Sequence, residues 1–111
     1  MDVTIWHNPK CSTSRKVLEA IRARGVEPEV VEYLRTPPDR AALTAMLARL
    51  KASPRDVLRA KGNDALLEGA PSDAQLLDLM LRHPVLIERP IVATPKGAVL
   101  CRPPERLEEV L

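Results

Sequence analysis

The stretch His7-Asn8-Pro9-Lys10-Cys11-Ser12-Thr13-Ser14-Arg15 decides how the chain is read. It follows an apolar run, Val3-Thr4-Ile5-Trp6, and precedes a helical pattern carrying Val17, Leu18 and Ile21. The local states are therefore strand, tight loop, cysteine, helix. Asn8-Pro9 signals the turn, because the residue before a proline is pushed out of the helical region. Ser12, Thr13 and Ser14 are all competent helix caps. Cys11 thus falls at or just before a helix N-terminus, where unpaired backbone N–H groups and the positive end of the helix dipole favour an anion. A thiol in that position ionises more readily than a free one. Lys10, Arg15 and Lys16 add positive charge, and the features that stabilise a thiolate also suit an oxyanion. A lone cysteine is most often a small core residue. The loop position and basic neighbours set Cys11 apart from that pattern.

Working outward, a helix is predicted over Thr13–Arg24, with Val17, Ala20 and Ile21 on one face and Gly25 as its C′ residue. Glu27–Leu34, with Val30, Val31 and Tyr33, reads as a second strand. Strand, helix and strand with short connections predict a parallel βαβ unit. Thr36-Pro37-Pro38-Asp39 stops that strand and opens a helix whose Leu43, Met46, Leu47 and Leu50 follow helical spacing. Ser53-Pro54 starts a further short helix that is expected to run through Val57 and Leu58 to about Gly62. Residues 62–70 carry no clear pattern. Ser72 or Asp73 caps a helix with Leu76, Leu77, Leu79 and Met80 that ends near His83-Pro84. Strands are predicted over Ile91–Ala93 and Ala98–Cys101, joined by a turn at Pro95-Lys96-Gly97. Pro103-Pro104 then leads into a closing helix with Leu107, Val110 and Leu111. The order βαβ, helical middle, ββα predicts an α/β protein with a thioredoxin-like fold. It would have a mixed four-stranded sheet and a helical insertion at about 38–82 within one domain spanning 1–111.

Composition fits that outline. A chain of 111 residues suffices for one core without metals or disulfide staples. With one Trp, one Tyr and no Phe, the core must be aliphatic. A net charge of +2 and the absence of a basic run argue against a nucleic-acid surface. No charged-then-apolar leader and no apolar stretch of spanning length is present, so the expectation is a cytoplasmic protein with no membrane partner. Its two cysteines are then expected as reduced thiols. Position 14 is Ser, so there is no C-x-x-C, and an oxidised intermediate needs an outside thiol or Cys101 to resolve it. The phosphatase loop C-x-x-x-x-x-R is not matched, because Arg15 comes too early. Two His and two Cys do not supply zinc-ligand spacing, so no metal is expected.

Arg outnumbers Lys by 12 to 5, and most arginines lie on helical faces where solvation explains them. Arg89, in Glu88-Arg89-Pro90, and Arg102, in Cys101-Arg102-Pro103-Pro104, are different. Each stands at a strand end beside proline, which restricts the backbone and aims the side chain. Strand ends of an α/β sheet are where ligands usually bind. Arg59 lies near a predicted helix end. A guanidinium offers a planar fork of donors that matches a tetrahedral oxyanion. His7 either raises the acidity of Cys11 or shuttles a proton, or is a strand-end histidine satisfied by backbone. Cys101, in the apolar run Val99-Leu100-Cys101, reads as core.

Taken in order, these residues resemble the glutaredoxin-coupled arsenate reductase family in its short bacterial form. The resemblance rests on His7-Asn8-Pro9-x-Cys11-x-x-Ser14-Arg15, Glu27-Pro28, Tyr33-Leu34, Pro37-Pro38, Arg59, Glu88-Arg89-Pro90-Ile91-Val92 and Arg102-Pro103, and spans essentially the whole chain. It implies the thioredoxin-like fold and an enzyme in which the Cys11 thiolate attacks arsenate held by Arg59, Arg89 and Arg102. The cysteine–arsenate ester would be resolved by glutathione, glutaredoxin would supply the reducing power, and arsenite would leave. On this expectation Cys11 and His7 are the catalytic residues, and Asn8, Ser14, Arg15 and Pro90 support them. Glutathione is a co-substrate and no cofactor is bound. A cis Arg89–Pro90 bond would suit such a fold.

Two other readings use the same residues. A glutaredoxin-like monothiol reductase acting on glutathione mixed disulfides would need Cys11 but not three converging arginines. The Spx-type regulators, which bind RNA polymerase, share the fold but typically carry C-x-x-C and lack the full arginine set. Ser14, Arg59, Arg89 and Arg102 speak against that reading.

Overall fold

The structure, a computed structural model, describes residues 2–111. The chain divides into two compact units. One is discontinuous, built from the segment ending at Thr36 together with Arg89–Leu111, and the other is Pro37–Glu88.

The discontinuous unit contains β1 (Thr4–Trp6), α1 (Ser12–Ala23), β2 (Glu29–Val31), β3 (Ile91–Thr94) and β4 (Gly97–Leu100). The strands form one mixed sheet in the order β2-β1-β3-β4. Ile5 of β1 stands opposite Val30 in a parallel pair and opposite Val92 in an antiparallel pair. β3 and β4 form an antiparallel hairpin in which Thr94 faces Gly97. Gly97 has φ 144°, a conformation the tight connection requires and side chains resist. This is the thioredoxin-like arrangement predicted above. Its core is aliphatic, as the lack of Phe dictates. Val17 and Ile21 from one face of α1 pack with Ile5, Val92 and Val99, and Leu107 and Val110 join the same cluster. Each such side chain contributes about 1.5–3 kcal/mol on burial. Gly25, with φ 77°, ends α1 at its expected C′ position and donates its N–H to the Arg22 carbonyl.

Two elements of this unit differ from expectation. The second strand covers only Glu29–Val31, since β1 offers three residues to pair with. Beyond it the Arg35 and Thr36 N–H groups both turn back onto the Glu32 carbonyl, and Tyr33 is buried in that turn. The closing helix is a 3-10 helix over Pro104–Glu109.

The unit Pro37–Glu88 holds α2 (Arg40–Leu50) and α3 (Asp73–Arg82), with 3-10 turns at 54–57, 64–67 and 84–86. Asp39 caps α2, its carboxylate accepting the Ala42 N–H at 2.8 Å. Ser72, rather than Asp73, caps α3. The Ser72 hydroxyl accepts the Gln75 N–H at 3.2 Å and the Gln75 side chain accepts the Ser72 N–H at 2.8 Å. The helix expected from Ser53 to about Gly62 is a single 3-10 turn, Pro54–Val57. The chain then runs extended. Leu58 pairs with Ile87, Arg59 N–H donates to the Leu86 carbonyl, and Glu88 N–H donates to the Val57 carbonyl. These partners replace the bonds that further helix would have made, so Arg59 sits on a short antiparallel bridge and not at a helix end. No described helix is long and apolar enough to cross a membrane.

Candidate active site

The loop between β1 and α1 is knit by its own polar groups. The Asn8 carbonyl accepts the Cys11 N–H at 3.0 Å, and the Asn8 side-chain oxygen accepts the Lys10 N–H at 3.0 Å. Ser14, fully buried, accepts the Asn8 N–H on its hydroxyl at 3.1 Å and lies 2.6 Å from His7 Nδ1. Arg15 reaches back to donate to the Pro9 carbonyl at 2.9 Å. None of Ser12, Thr13 and Ser14 caps the helix. Cys11 itself occupies the N-cap position in extended conformation, φ −95° and ψ 122°, with no side-chain cap bond. Ser14 is bound instead to the strand end, which leaves the first-turn N–H groups free for another acceptor.

That acceptor is the thiol. Burial opposes ionisation of Cys11, but the Ser14 backbone N–H, the Arg102 guanidinium, the Thr13 backbone N–H and the charge of Arg89 together hold it below the ordinary thiol value of 9.0. Arg102 Nη1 stands 3.8 Å from Cys11 Sγ and donates to the Arg89 carbonyl at 3.1 Å. The main chain at Arg89 therefore fixes the guanidinium of Arg102. Pro90 follows with its carbonyl accepting the Cys101 N–H at 2.9 Å. Both the Arg89–Pro90 and the Arg102–Pro103 peptides are cis.

Arg89 is only 8% exposed, yet its Nε and Nη1 have no hydrogen-bond partner. Buried donors are nearly always paired, and leaving one unmade costs about 1–3 kcal/mol, more for a charged group. An oxyanion is the ligand that satisfies such a group. A lowered thiol, a helix N-terminus and two guanidinium groups make one site for a nucleophilic attack on an anion.

The structure brings His7 to Ser14 and not to Cys11. Burial is the main influence on His7 and lowers its pKa below 6.5, against the charge of Glu32 and with the charges of Arg22 and Arg15. The ring is neutral around pH 7 and serves the loop. Cys101 is buried, and burial pushes its thiol up to about 12. Arg59 belongs to the Pro37–Glu88 unit, where it pairs with Glu88 at 2.9 Å. Glu88 and the Thr13 and Ser14 N–H groups were not singled out by sequence. The first had a signal in its place beside Arg89, and the others had theirs in the predicted helix start at Cys11, which announces free N–H groups without saying which residues supply them. Among the described residues no cluster of His, Cys, Asp and Glu could hold a metal ion.

Comparison with known proteins gives the same direction throughout. An arsenate reductase of Rhizobium meliloti (strain 1021) is 50% identical over 115 residues, covering 100% of this chain and 82% of that protein. An arsenate reductase of Escherichia coli (strain K12) is 46% identical over 114 residues, covering 99% of this chain and 81% of its own length. The solved structure of an arsenate reductase from Vibrio cholerae superposes with a TM-score of 0.90 at 39% identity, over 100% of this chain and 98% of that one. The ArsC family model matches residues 6–110, which takes in the cysteine loop, Arg59, Arg89 and Arg102 alike. Sequence, fold and site thus converge, and the chain belongs to the ArsC family.

Proposed function

We propose that this protein reduces arsenate to arsenite, with Cys11 as nucleophile. The observation that carries the reading is Arg89, buried beside the thiol with two donors unsatisfied. Arg89 and Arg102 bind the tetrahedral oxyanion, and the N–H groups at the start of α1 lower the charge cost of holding a thiolate next to it. Arg59, which pairs with Glu88 at 2.9 Å, is the third anion-binding arginine of this reading.

The reaction balances through thiols alone. Cys11 Sγ forms a bond to arsenic and one arsenate oxygen leaves as water. Glutathione displaces a second oxygen in the same way, giving arsenic bonded to both sulfurs. A glutaredoxin thiol then attacks the glutathione sulfur. A disulfide forms, and the electron pair of the arsenic–sulfur bond stays on arsenic, which becomes As(III). Water releases arsenite and returns the Cys11 thiol. An external thiol is needed because position 14 is Ser and Cys101 is buried with a raised pKa. Dependence on glutathione assigns the reaction to a reducing compartment, the cytoplasm.

The test is NADPH-coupled arsenate reduction with glutathione, glutaredoxin and glutathione reductase. Turnover should be lost in Cys11→Ser and fall by about a hundredfold or more in Arg89→Ala, the scale of one lost anion-stabilising donor. Arg59→Ala should raise the arsenate KM. Turnover that survives Arg89→Ala would overturn the anion site, and its absence from folded wild-type protein would overturn the reading.

A further inference from the structure

Nothing in the geometry around Cys11 is peculiar to arsenic. The thiol is half-buried, and the Thr13 and Ser14 N–H groups favour its ionisation. Arg89, 8% exposed, holds two donors without a partner. Arg102 Nη1 stands 3.8 Å from Sγ. A second sulfur bonded to Sγ lies about 2 Å further out, so it has room to approach that guanidinium more closely than Sγ does. Two further observations narrow the chemistry. Position 14 is Ser, and Cys101 is buried with its thiol pushed up to about 12. A sulfur atom carried on Cys11 therefore meets no neighbouring thiolate that would expel it as sulfide and close a disulfide. None of the groups that set the ionisation of Cys11 is a carboxylate, and His7 is turned to Ser14. Arsenate brings its own protons at neutral pH, but any other substrate of this site needs a leaving group that departs as an anion.

We infer that the same site transfers sulfane sulfur from thiosulfate, a second activity that needs neither arsenate nor a reductant. Thiosulfate is a tetrahedral oxyanion in which one oxygen is replaced by a sulfur that a thiolate attacks. Its three oxygens match the planar donor forks of Arg89 and Arg102. The Cys11 thiolate forms an S–S bond to the outer sulfur, and the bond from that sulfur to the sulfonate breaks. The electron pair leaves with the sulfonate as sulfite, which departs without a proton. Cys11 is left as a persulfide anion, its charge on the outer sulfur and facing the guanidinium of Arg102. Cyanide or a small thiol then takes the outer sulfur, as thiocyanate or as a thiol persulfide, and Cys11 returns as the thiolate. Charge and atoms are conserved in each step. A site with a second reactive thiol would lose the persulfide before an acceptor arrived.

The experiment gives reduced protein thiosulfate alone and then thiosulfate with cyanide. In the first, intact-mass spectrometry should find one added sulfur atom on Cys11 and an equal amount of sulfite released. In the second, thiocyanate should form over many turnovers, read as its ferric complex. Cys11→Ser should do neither, and Cys101→Ala should match wild type. Arg89→Ala should lower kcat/KM for thiosulfate by about a hundredfold or more, the scale of one lost anion-stabilising donor. Arsenate without glutathione should inhibit thiocyanate formation competitively, which tests the shared anion site on wild-type protein whether or not Arg89→Ala folds. No sulfur on Cys11, thiocyanate formation that survives Cys11→Ser, or noncompetitive inhibition by arsenate each overturns the inference. Arsenate turnover measured on the same preparation keeps the two readings apart. Arsenate reduction without sulfur transfer would sink this inference alone, and sulfur transfer without arsenate reduction would leave it standing and remove the function proposed above.

Discussion

Cys11 owes its acidity to opposing influences, and each has a residue attached. Burial favours the thiol, while the Ser14 and Thr13 N–H groups, Arg102 and Arg89 favour the thiolate. Iodoacetamide should therefore alkylate Cys11 with a pH midpoint below 9.0. Arg102→Ala should move that midpoint upward, and each unit of movement cuts the thiolate fraction at neutral pH about tenfold. A midpoint unmoved by that substitution would remove Arg102 from the balance. Cys101 behaves oppositely. A thiol count with a bulky disulfide reagent should find one reactive group in native protein and two after denaturation. The residues named by motif, Cys11, Arg89 and Arg102, were legible because side-chain chemistry is written in the sequence. The helix N–H groups were legible as a group from the helix start at Cys11, but the attachment of His7 to Ser14 was not, since it follows from where the backbone goes.

Among the elements, helix starts were legible and helix stops were not. Asp39 and Ser72 are caps with side-chain bonds that a sequence displays directly. Ser72→Ala should cost about 1 kcal/mol of stability, read as a lower urea midpoint with an unchanged slope. A changed slope would mean that more than a cap was lost. Ser53-Pro54 likewise announced a start, but the end of that turn is set by Leu86, Ile87 and Glu88, about thirty positions away in sequence. The second strand was overestimated for the same kind of reason. Its length is limited by its neighbour β1, and β-rich residues such as Tyr33 went into a buried turn instead.

For the whole molecule, stability should follow pH through three groups. His7 titrates below 6.5 in the folded state, so the unfolded chain takes up its proton first. Its contribution is complete above about pH 6.5 and lost as pH falls below that. Cys11 adds stability as pH rises from its lowered folded value toward 9.0. Cys101, pushed up to about 12, contributes fully below 9.0 and loses its contribution as pH rises beyond. Thermal midpoints should therefore decline below about pH 6.5 and again above about pH 9, and Cys11→Ser should flatten the region between. Oxyanion should also stabilise the fold by mass action, by about 2.7 kcal/mol at a hundred times Kd. Arsenate added to wild type should raise Tm, and Arg89→Ala should abolish the rise. A rise of equal size in both would place the anion elsewhere.

The thiol and the guanidinium it meets lie 91 residues apart along the chain. Ribosomes deliver a protein from its N-terminus, so Cys11 emerges long before Arg102 is made. An unfinished chain has the sulfur but neither the fixed charge nor the completed sheet that makes it reactive. Synthesis itself thus acts as a safety catch, bringing guanidinium to thiol only after β3 has paired with β1 and β4 with β3.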